Sequence, residues 1–305
     1  MARKLAVLAI VVLALALAAF WIVTIPATVP AGALASRTPD LANGREMFFT
    51  GGCTSCHATP GAEDKTRLGG GLGLPSPFGT FHVPNISPDP DDGFGKWSEA
   101  DFVTAMTKGT SPDGRHYFPA FPYTSYQRMR MEDVRDLFGY LKTLPAVKGR
   151  VRDHDVPFPF NVRRTLGCWK LLFLDGKPFQ PDPAQSTTWN RGAYLVNGPG
   201  HCAECHSPRN ILGGIIAAQL FAGGPNPEGK GWIPNITQKG LGDYSEKDIA
   251  YLLETGNTPD GDSVGGPMAA VIRNTSQLTP EDRAAMATYI KSLPPVEGPK
   301  RPEKK

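Results

Sequence analysis

The pentapeptide C-T-S-C-H at residues 53–57 occurs a second time as C-A-E-C-H at residues 202–206. No other feature constrains the fold as strongly, because in C-x-x-C-H two thiols bond a c-type haem and the adjacent imidazole binds its iron. A single copy could instead be a redox dithiol or half of a zinc site. Two copies, each opening a similar stretch of about 100 residues, favour two covalently bound haem c groups. The attachment residues are Cys53, Cys56 and His57 for haem 1, and Cys202, Cys205 and His206 for haem 2.

The composition is that of a loop-rich globular protein. Charged residues make up 20% of the 305-residue chain and hydrophobic residues 40%, which argues against a disordered polypeptide. Glycine and proline contribute 34 and 30 residues, so much of the chain is expected to be loop. The net charge of +3 is too small to favour a nucleic-acid partner.

The N-terminal segment has the pattern of a membrane anchor. Arg3 and Lys4 precede an apolar run over residues 5–25, which is long enough to span a bilayer. Positive charge before such a span predicts that the N-terminus stays inside. Residues 1–28 are therefore expected to anchor the chain in the bacterial inner membrane, with the haem domains in the periplasm, where haem is joined to C-x-x-C-H. The alternative is a signal peptide cleaved after the small-x-small sequence at residues 33–35.

Residues 36–150 are interpreted as the first haem domain, reached through an exposed tether at residues 26–39. Apolar spacing and capping residues predict helices at 44–50, 99–108 and 131–144. Between the first two helices, repeated glycines and prolines predict an irregular loop that wraps the haem.

Residues 151–185 form a connector that is Pro-rich at both ends and strongly apolar at 169–174. A solvated linker would not carry such a run, so the connector is expected to pack against one or both haem domains. The basic residues between 142 and 170 are expected to be a solvated surface near anionic lipid. Cys168 lies in an apolar setting and is expected to be a buried, unreactive thiol, the alternative being a thiolate ligand of iron.

Residues 186–296 repeat the order of parts found in residues 36–150. The sequence G-T-S-P-D-G at 109–114 recurs as G-N-T-P-D-G at 256–261, and the first cysteines of the two motifs are 149 residues apart. The repetition indicates a duplicated haem domain. The predicted fold class is therefore all-α and loop-rich, with two tandem haem domains after one N-terminal transmembrane helix. Residues 297–305 are charged and are predicted to be a disordered tail.

These motifs resemble those of the membrane-anchored, multihaem class I cytochrome c subunits of periplasmic dehydrogenases that oxidise alcohols, aldehydes or gluconate. Besides both C-x-x-C-H sites, the likeness is carried by C-H-S-P-R at 205–209, P-N-I-S/T at 84–87 and 234–237, the aromatic sequence at 118–126 and V-G-G-P-M at 264–268. The resemblance covers residues 40–296 and implies two tandem class I cytochrome c domains. Such subunits commonly carry three haems, whereas this chain has two attachment sites.

The resemblance further implies that Met268, in the family's ligand loop, is the sixth ligand of haem 2. A thioether paired with an imidazole stabilises Fe(II). Counting forward from the shared G-x-x-P-D-G sequence places Phe121 opposite Met268, and a phenylalanine cannot ligate iron. An open, five-coordinate haem 1 is one possibility. The candidate ligands of haem 1 near this loop are Met129 and His116 first, then His82 and Met106.

The expected function is single-electron transfer from the catalytic subunit of a periplasmic dehydrogenase to a terminal oxidase, a quinone or a soluble cytochrome. No acid–base or nucleophile constellation suggests further chemistry, so no catalytic residue is assigned. The main alternative is an enzyme, either a dihaem peroxidase with an open haem 1 or a thiosulfate-oxidising protein with Cys168 on iron. A third possibility is a structural membrane anchor for a partner complex.

Overall fold

Helices separated by long loops form most of the regular structure of residues 1–227, 229 and 231–301, the part of the chain that the computed structural model describes. The α-helices are α1 Ala2–Val23, α2 Leu41–Thr50, α3 Cys53–His57, α4 Glu99–Lys108, α5 Tyr123–Tyr126, α6 Met131–Leu141, α7 Leu166–Phe173, α8 Thr187–Asn197, α9 Ala203–His206, α10 Gln238–Leu241, α11 Glu246–Thr255, α12 Pro267–Thr275 and α13 Pro280–Ser292. Single 3-10 turns lie at Ala31–Ala33, Arg163–Thr165 and Ala217–Gln219. The helices group into two similar units, here called domain 1 (residues 41–145) and domain 2 (residues 189–294).

Local capping explains why corresponding helices begin at corresponding places. Ser98 accepts a hydrogen bond from the amide of Asp101, whose carboxylate accepts one from the amide of Ser98, so α4 opens with a complete capping box. Ser245 and Asp248 make the same box at the start of α11. The helix predicted at residues 99–108 has the predicted bounds.

Each domain is held together by the crossing of its first and last long helices, α2 with α6 in domain 1 and α8 with α13 in domain 2. Gly44 and Gly192 lie at the two crossings. A Cβ atom on Gly44 would overlap the Asp136 carbonyl, and one on Gly192 would overlap the Ala285 carbonyl. The crossing therefore requires glycine in both domains, because the backbones touch there. A shared hydrophobic core continues from one domain into the other.

The loops after the two cysteine motifs contain short strands that the sequence did not predict. Strands β1 Gly73–Ser76 and β2 Gly79–His82 pair antiparallel, as do β3 Gly224–Pro225 and β4 Trp232–Ile233. The expectation of an entirely irregular loop in domain 1 is thus wrong. The hairpin is stabilised from outside the loop, because Thr80 also pairs with Asp155 of the connector. The chain is helix-rich with few strands, which is compatible with the predicted all-α class.

The segment after α1 is not the free tether that its composition suggested. The amide of Val29 donates to the Thr104 hydroxyl at 2.9 Å, and Arg135 donates to the Ala35 carbonyl at 2.6 Å. Both contacts fasten the segment to domain 1. Helix α1 itself is 22 residues long, has a mean hydropathy of 3.0 over its most apolar window and is not buried by the rest of the chain.

Helix α7 of the connector contacts both domains. The Lys170 ammonium donates to the carbonyls of Lys108 and Gly109 at the end of α4, at 2.7 and 2.6 Å, and the Trp169 indole donates to the Leu212 carbonyl at 2.9 Å. Two expectations fail here. Lys170 is buried rather than solvated, and Cys168 is exposed rather than buried, because it lies on the opposite face of α7 from Lys170.

The predicted disordered tail lies partly outside the described residues, at 302–305. Its first residues make defined contacts. The Glu297 carboxylate pairs with the Lys239 ammonium at 2.6 Å, and its carbonyl accepts a hydrogen bond from Gln219 at 3.1 Å.

Candidate haem-binding sites

Both C-x-x-C-H motifs fold into a short helical turn, α3 in domain 1 and α9 in domain 2, directly after the long first helix of the domain. The residue before the first cysteine adopts a left-handed conformation in each case, with φ +57° at Gly52 and +40° at His201. This reversal lets the chain turn sharply from the long helix into the motif. His201 is notable because side chains rarely adopt this conformation; its imidazole contacts the Gly51 carbonyl of domain 1 at 3.2 Å.

The two predicted proximal histidines have the same hydrogen bond. The Nδ1 atom of His57 lies 2.9 Å from the Pro84 carbonyl, and Nδ1 of His206 lies 2.9 Å from the Pro234 carbonyl. A carbonyl can only accept, so Nδ1 carries the proton and Nε2 is left with its lone pair. Burial lowers the pKa of His57 to about 4, and burial also lowers the pKa of His206, which keeps both rings neutral. A neutral imidazole with an oriented, protonated second nitrogen is what iron ligation requires.

The first thiol of each motif lacks the lowered pKa of a redox dithiol. Burial raises the pKa of Cys53 to about 12 and that of Cys202 to about 12, whereas reactive C-x-x-C cysteines have lowered values. In the described part of the chain, no group of three or more His, Cys, Asp or Glu side chains is placed to hold a metal ion. The residues of both motifs therefore fit covalent haem, which the thiols would hold through thioether bonds.

Two asparagines hold the loops that carry the proline carbonyls. Asn85 donates to the Val147 carbonyl at 2.7 Å, and Asn235 donates to the Val296 carbonyl at 2.8 Å. Each asparagine immediately follows the proline that contacts a proximal histidine, and each reaches the segment after the closing helix of its domain. These hydrogen bonds position the proximal loop of each domain.

The middle residues of the first motif dock onto domain 2. Thr54 donates to the Asn274 side-chain oxygen at 2.8 Å, and the Asn274 amide donates to the Ser55 hydroxyl at 3.0 Å. The Ser55 hydroxyl in turn donates to the Ala270 carbonyl at 3.2 Å. The turn that would carry haem 1 is thereby fixed against α12, the helix that carries Met268.

The middle of the second motif docks onto domain 1 in a reciprocal way. The Glu204 carboxylate accepts hydrogen bonds from the hydroxyls of Thr124 and Ser125 on α5, at 2.7 and 3.0 Å. It also pairs with the Arg209 guanidinium at 2.6 Å. Burial alone would raise the pKa of Glu204, but Arg209 and Thr124 more than offset that effect, so the pKa lies below its usual value and the carboxylate is ionised.

Glu204 was missed by the sequence reasoning. The available signal was an acidic residue inside a C-x-x-C-H motif with an arginine five residues later. An acid at that place is costly to bury unless it is paired.

The first parts of the two distal loops correspond in structure, over residues 110–116 and 257–263. The bridge between Thr110 and His116 in domain 1 matches that between Asn257 and Ser263 in domain 2, at a constant offset of 147. The same offset places Phe121 opposite Met268. Met268 is half-buried at the start of α12 and packs against the core.

Phe121 lies in an aromatic cluster instead of presenting a ligand. Its ring centroid is 5.7, 6.3 and 5.6 Å from those of Tyr117, Tyr123 and Tyr126. The corresponding positions therefore differ in chemistry and not only in side-chain size.

The other candidate ligands of haem 1 have defined surroundings. Met129 and Met106 are buried in the core at positions where domain 2 has Leu278 and Leu253. In both candidate histidines, Nε2 lies within hydrogen-bond distance of a protein oxygen. His116 Nε2 lies 2.9 Å from the Thr24 carbonyl, and His82 Nε2 lies 3.0 Å from the Asp155 carboxylate.

Comparison with known protein families gives a match over both domains. A family model described as cytochrome c matches residues 41–145 and, separately, residues 189–294. Each match contains one complete C-x-x-C-H motif.

Individual relatives agree with that match. A diheme cytochrome c-type protein of Cereibacter sphaeroides is 51% identical over 265 residues, which cover 86% of this chain and 89% of that protein. A nicotinate dehydrogenase subunit from Pseudomonas putida is 38% identical over 92% of this chain, and the cytochrome subunit of fructose dehydrogenase from Gluconobacter japonicus is 36% identical over 88%. The chain spans only 23% and 55% of the latter two proteins.

Proposed function

The chain belongs to the cytochrome c family and carries two covalently bound c-type haems, and from this premise we propose that it transfers single electrons from a periplasmic dehydrogenase to a respiratory acceptor. The observation that carries the proposal is the repeated proximal geometry, in which Pro84 and Pro234 each hold a motif histidine with Nε2 available to iron. Haem supplies one-electron redox chemistry, and the protein supplies ligation, burial and placement.

The partner class is supported by the relatives, several of which are cytochrome subunits of fructose, alcohol or gluconate dehydrogenases. The donor proposed here is the catalytic subunit of such a dehydrogenase. The acceptor proposed is a terminal oxidase, a quinone or a soluble cytochrome. The two motifs dock onto each other's domain through Asn274 and Glu204, which supports an electron path from one haem to the other.

The proposed location is the periplasmic face of the inner membrane, with α1 as a retained anchor. Helix α1 is long and apolar enough to cross a bilayer, and its side chains are exposed along its length. Arg3 and Lys4 at its start favour an inside N-terminus.

We propose Met268 as the sixth ligand of haem 2 and Met129 as that of haem 1. Met129 is preferred to His116 because the His116 imidazole is already bonded to the end of α1. Neither enzymatic alternative gains support. Cys168 is exposed on the connector, and the Phe121 position is filled by packed aromatic rings.

The test is electron transfer in a reconstituted pair. The full chain is purified from membranes together with its co-purifying dehydrogenase, and haem reduction is followed by stopped-flow absorbance after substrate is added. Reduction of two haem equivalents per chain on the timescale of turnover is the expected result. Haems that dithionite reduces but the dehydrogenase does not would overturn the proposal, as would rapid peroxide consumption by the chain alone.

A further inference from the structure

The connector helix α7 has two unlike faces. On its inner face, Gly167 lies against Thr24 at the end of α1, where a Cβ atom would come within 2.5 Å of the threonine side chain, and Lys170 reaches the end of α4. On its outer face, Leu171 is 65% exposed and Leu172 is 67% exposed. An exposed apolar face of this kind often marks a site that contacts a protein or a membrane.

The outer end of α1 is clamped to the start of this helix. The Arg164 guanidinium donates to the Trp21 carbonyl at 2.5 Å and to the Thr24 hydroxyl at 2.8 Å, and it lies 4.1 Å from the centre of the Trp21 ring. His116 of domain 1 contacts the Thr24 carbonyl at 2.9 Å. Helix α7 is therefore held in a defined orientation beside the point where α1 ends.

Further exposed apolar side chains precede α7 in the connector. We define the connector patch as the following five residues: Phe158 (79% exposed), Phe160 (46%), Val162 (40%), Leu171 and Leu172. Phe160 packs on Phe78 of the β1–β2 hairpin, with ring centroids 5.1 Å apart. Phe78 also approaches Gly213, next to the residue that Trp169 of α7 contacts, so the two parts of the patch border one region of the molecule.

The charge of this segment suits a lipid surface. Residues 156–174, which Asp155 and Asp175 border, contain no acidic residue. Their basic residues are Arg163, Arg164 and the inward-facing Lys170. Arg163 and Arg164 lie just before the apolar helix α7, and basic residues beside an exposed apolar face are typical of segments that lie in the interface of an anionic membrane. The patch is also continuous with α1, whose last residues, such as Ile22 and Ile25, are themselves exposed and apolar.

We propose that the connector patch inserts into the outer lipid–water interface, so that the protein binds the membrane through two elements, α1 and α7. This inference rests on the proposed anchoring by α1. Insertion of the patch would fix the orientation of the haem domains relative to the bilayer, because α7 is joined to domain 1 through Lys170 and to domain 2 through Trp169.

Cys168 on the outer face of α7 provides the probe. The haem-loaded full chain is reconstituted in nanodiscs of phosphatidylethanolamine and phosphatidylglycerol, which leave both membrane faces open to solvent. A charged maleimide is added, and the modification rate of Cys168 is measured by mass spectrometry. The matched control is a Cys168→Ser/Tyr251→Cys variant, since Tyr251 is 50% exposed on α11 of domain 2.

The expected result is modification of Cys168 about tenfold slower than that of the control thiol, because lipid excludes the charged reagent. Leu171→Gln/Leu172→Gln should restore fast modification, and both residues are exposed, so the fold is unaffected. Equal rates for Cys168 and the control in a chain that co-elutes with nanodiscs would overturn this inference and leave the anchor intact. Failure to co-elute would overturn the anchor and the inference together.

Discussion

The two haem domains share their proximal side and differ on their distal side. His57 and His206 have the same bond to a proline carbonyl at the same 2.9 Å. Their distal loops are unlike in sequence, with Phe121 at the position that the shared offset assigns to Met268. The contrast teaches that the duplicated domains keep the residues that attach and orient haem, while their distal loops differ at the position where we propose a ligand of haem 2.

A second difference concerns what each domain is fastened to. Domain 1 has His116 on the end of α1, at the position where domain 2 has Ser263, and Lys170 holds domain 1 to the connector. Domain 2 instead contributes Glu204 to the interface between the domains, where domain 1 has Ser55. Domain 1 thus bears contacts to the anchor, and domain 2 has a buried carboxylate inside its own C-x-x-C-H motif.

The largest effect that would test this comparison is loss of a methionine ligand. Met268→Leu keeps the side-chain volume but removes the thioether, so haem 2 should lose its low-spin methionine–histidine signature. Its potential should fall by a sizeable part of the roughly 0.8 V range that axial ligands control. Low-temperature EPR of the oxidised protein and a spectroscopic redox titration would measure both changes.

Met129→Leu is the companion variant and should alter only the haem 1 signal. Met286→Leu is the control, because Met286 is a buried core residue of α13. An unchanged haem 2 signal in Met268→Leu would refute the ligand assignment. A high-spin signal in the unmodified protein would show that haem 1 is open.

An intermediate effect is expected from the charge that distinguishes the second motif. Glu204→Gln leaves Arg209 without its carboxylate, so the free energy of unfolding should fall by about 3 kcal/mol, near the lower end for breaking a buried pair. The potential of haem 2 should rise, because a buried negative charge that stabilises Fe(III) is gone. Denaturant unfolding and potentiometric titration would measure the two effects.

Glu254→Gln is the control for this variant. Glu254 also pairs with an arginine, Arg283 at 3.1 Å, but it is 52% exposed. Its removal should change stability by no more than about 1 kcal/mol. Equal losses of unfolding free energy in the two variants would mean that the burial of Glu204 does not strengthen its contribution to stability.

The smallest effect should come from the helix crossings, where the domains are most alike. Gly192→Ala and Gly44→Ala each force a Cβ atom onto a carbonyl of the facing helix, so each should lower the free energy of unfolding by about 1–3 kcal/mol. The loss should be greater at Gly192, where the overlap is deeper. Thermal unfolding monitored by circular dichroism would rank the two domains.

Gly32→Ala is the matched substitution, because a Cβ atom there meets no other atom within 4 Å. It should change stability by no more than about 0.5 kcal/mol. If Gly192→Ala were as mild as Gly32→Ala, the crossing in domain 2 would tolerate a side chain. The claim that both domains require glycine at this crossing would then be refuted.

Much of the fold could be predicted because its signals are local. The capped start at Ser98 lies directly before the helix that it begins, and that helix formed where expected. Helix ends were less well predicted, since the helix expected to run to residue 144 ends at Leu141. The haem attachment residues could also be predicted from the sequence, because covalent attachment requires two thiols and a histidine at one short spacing.

The sequence by itself determined the cofactor, its number and the duplication of the domain that holds it. Only the tertiary structure decided that Cys168 is exposed, that Lys170 is buried and that each motif docks onto the opposite domain. Thr54 and Asn274 are 220 residues apart, and Thr124 and Glu204 are 80 apart. No local pattern records such pairs, because whether a polar side chain meets a partner or water depends on which distant surfaces the folded chain brings together.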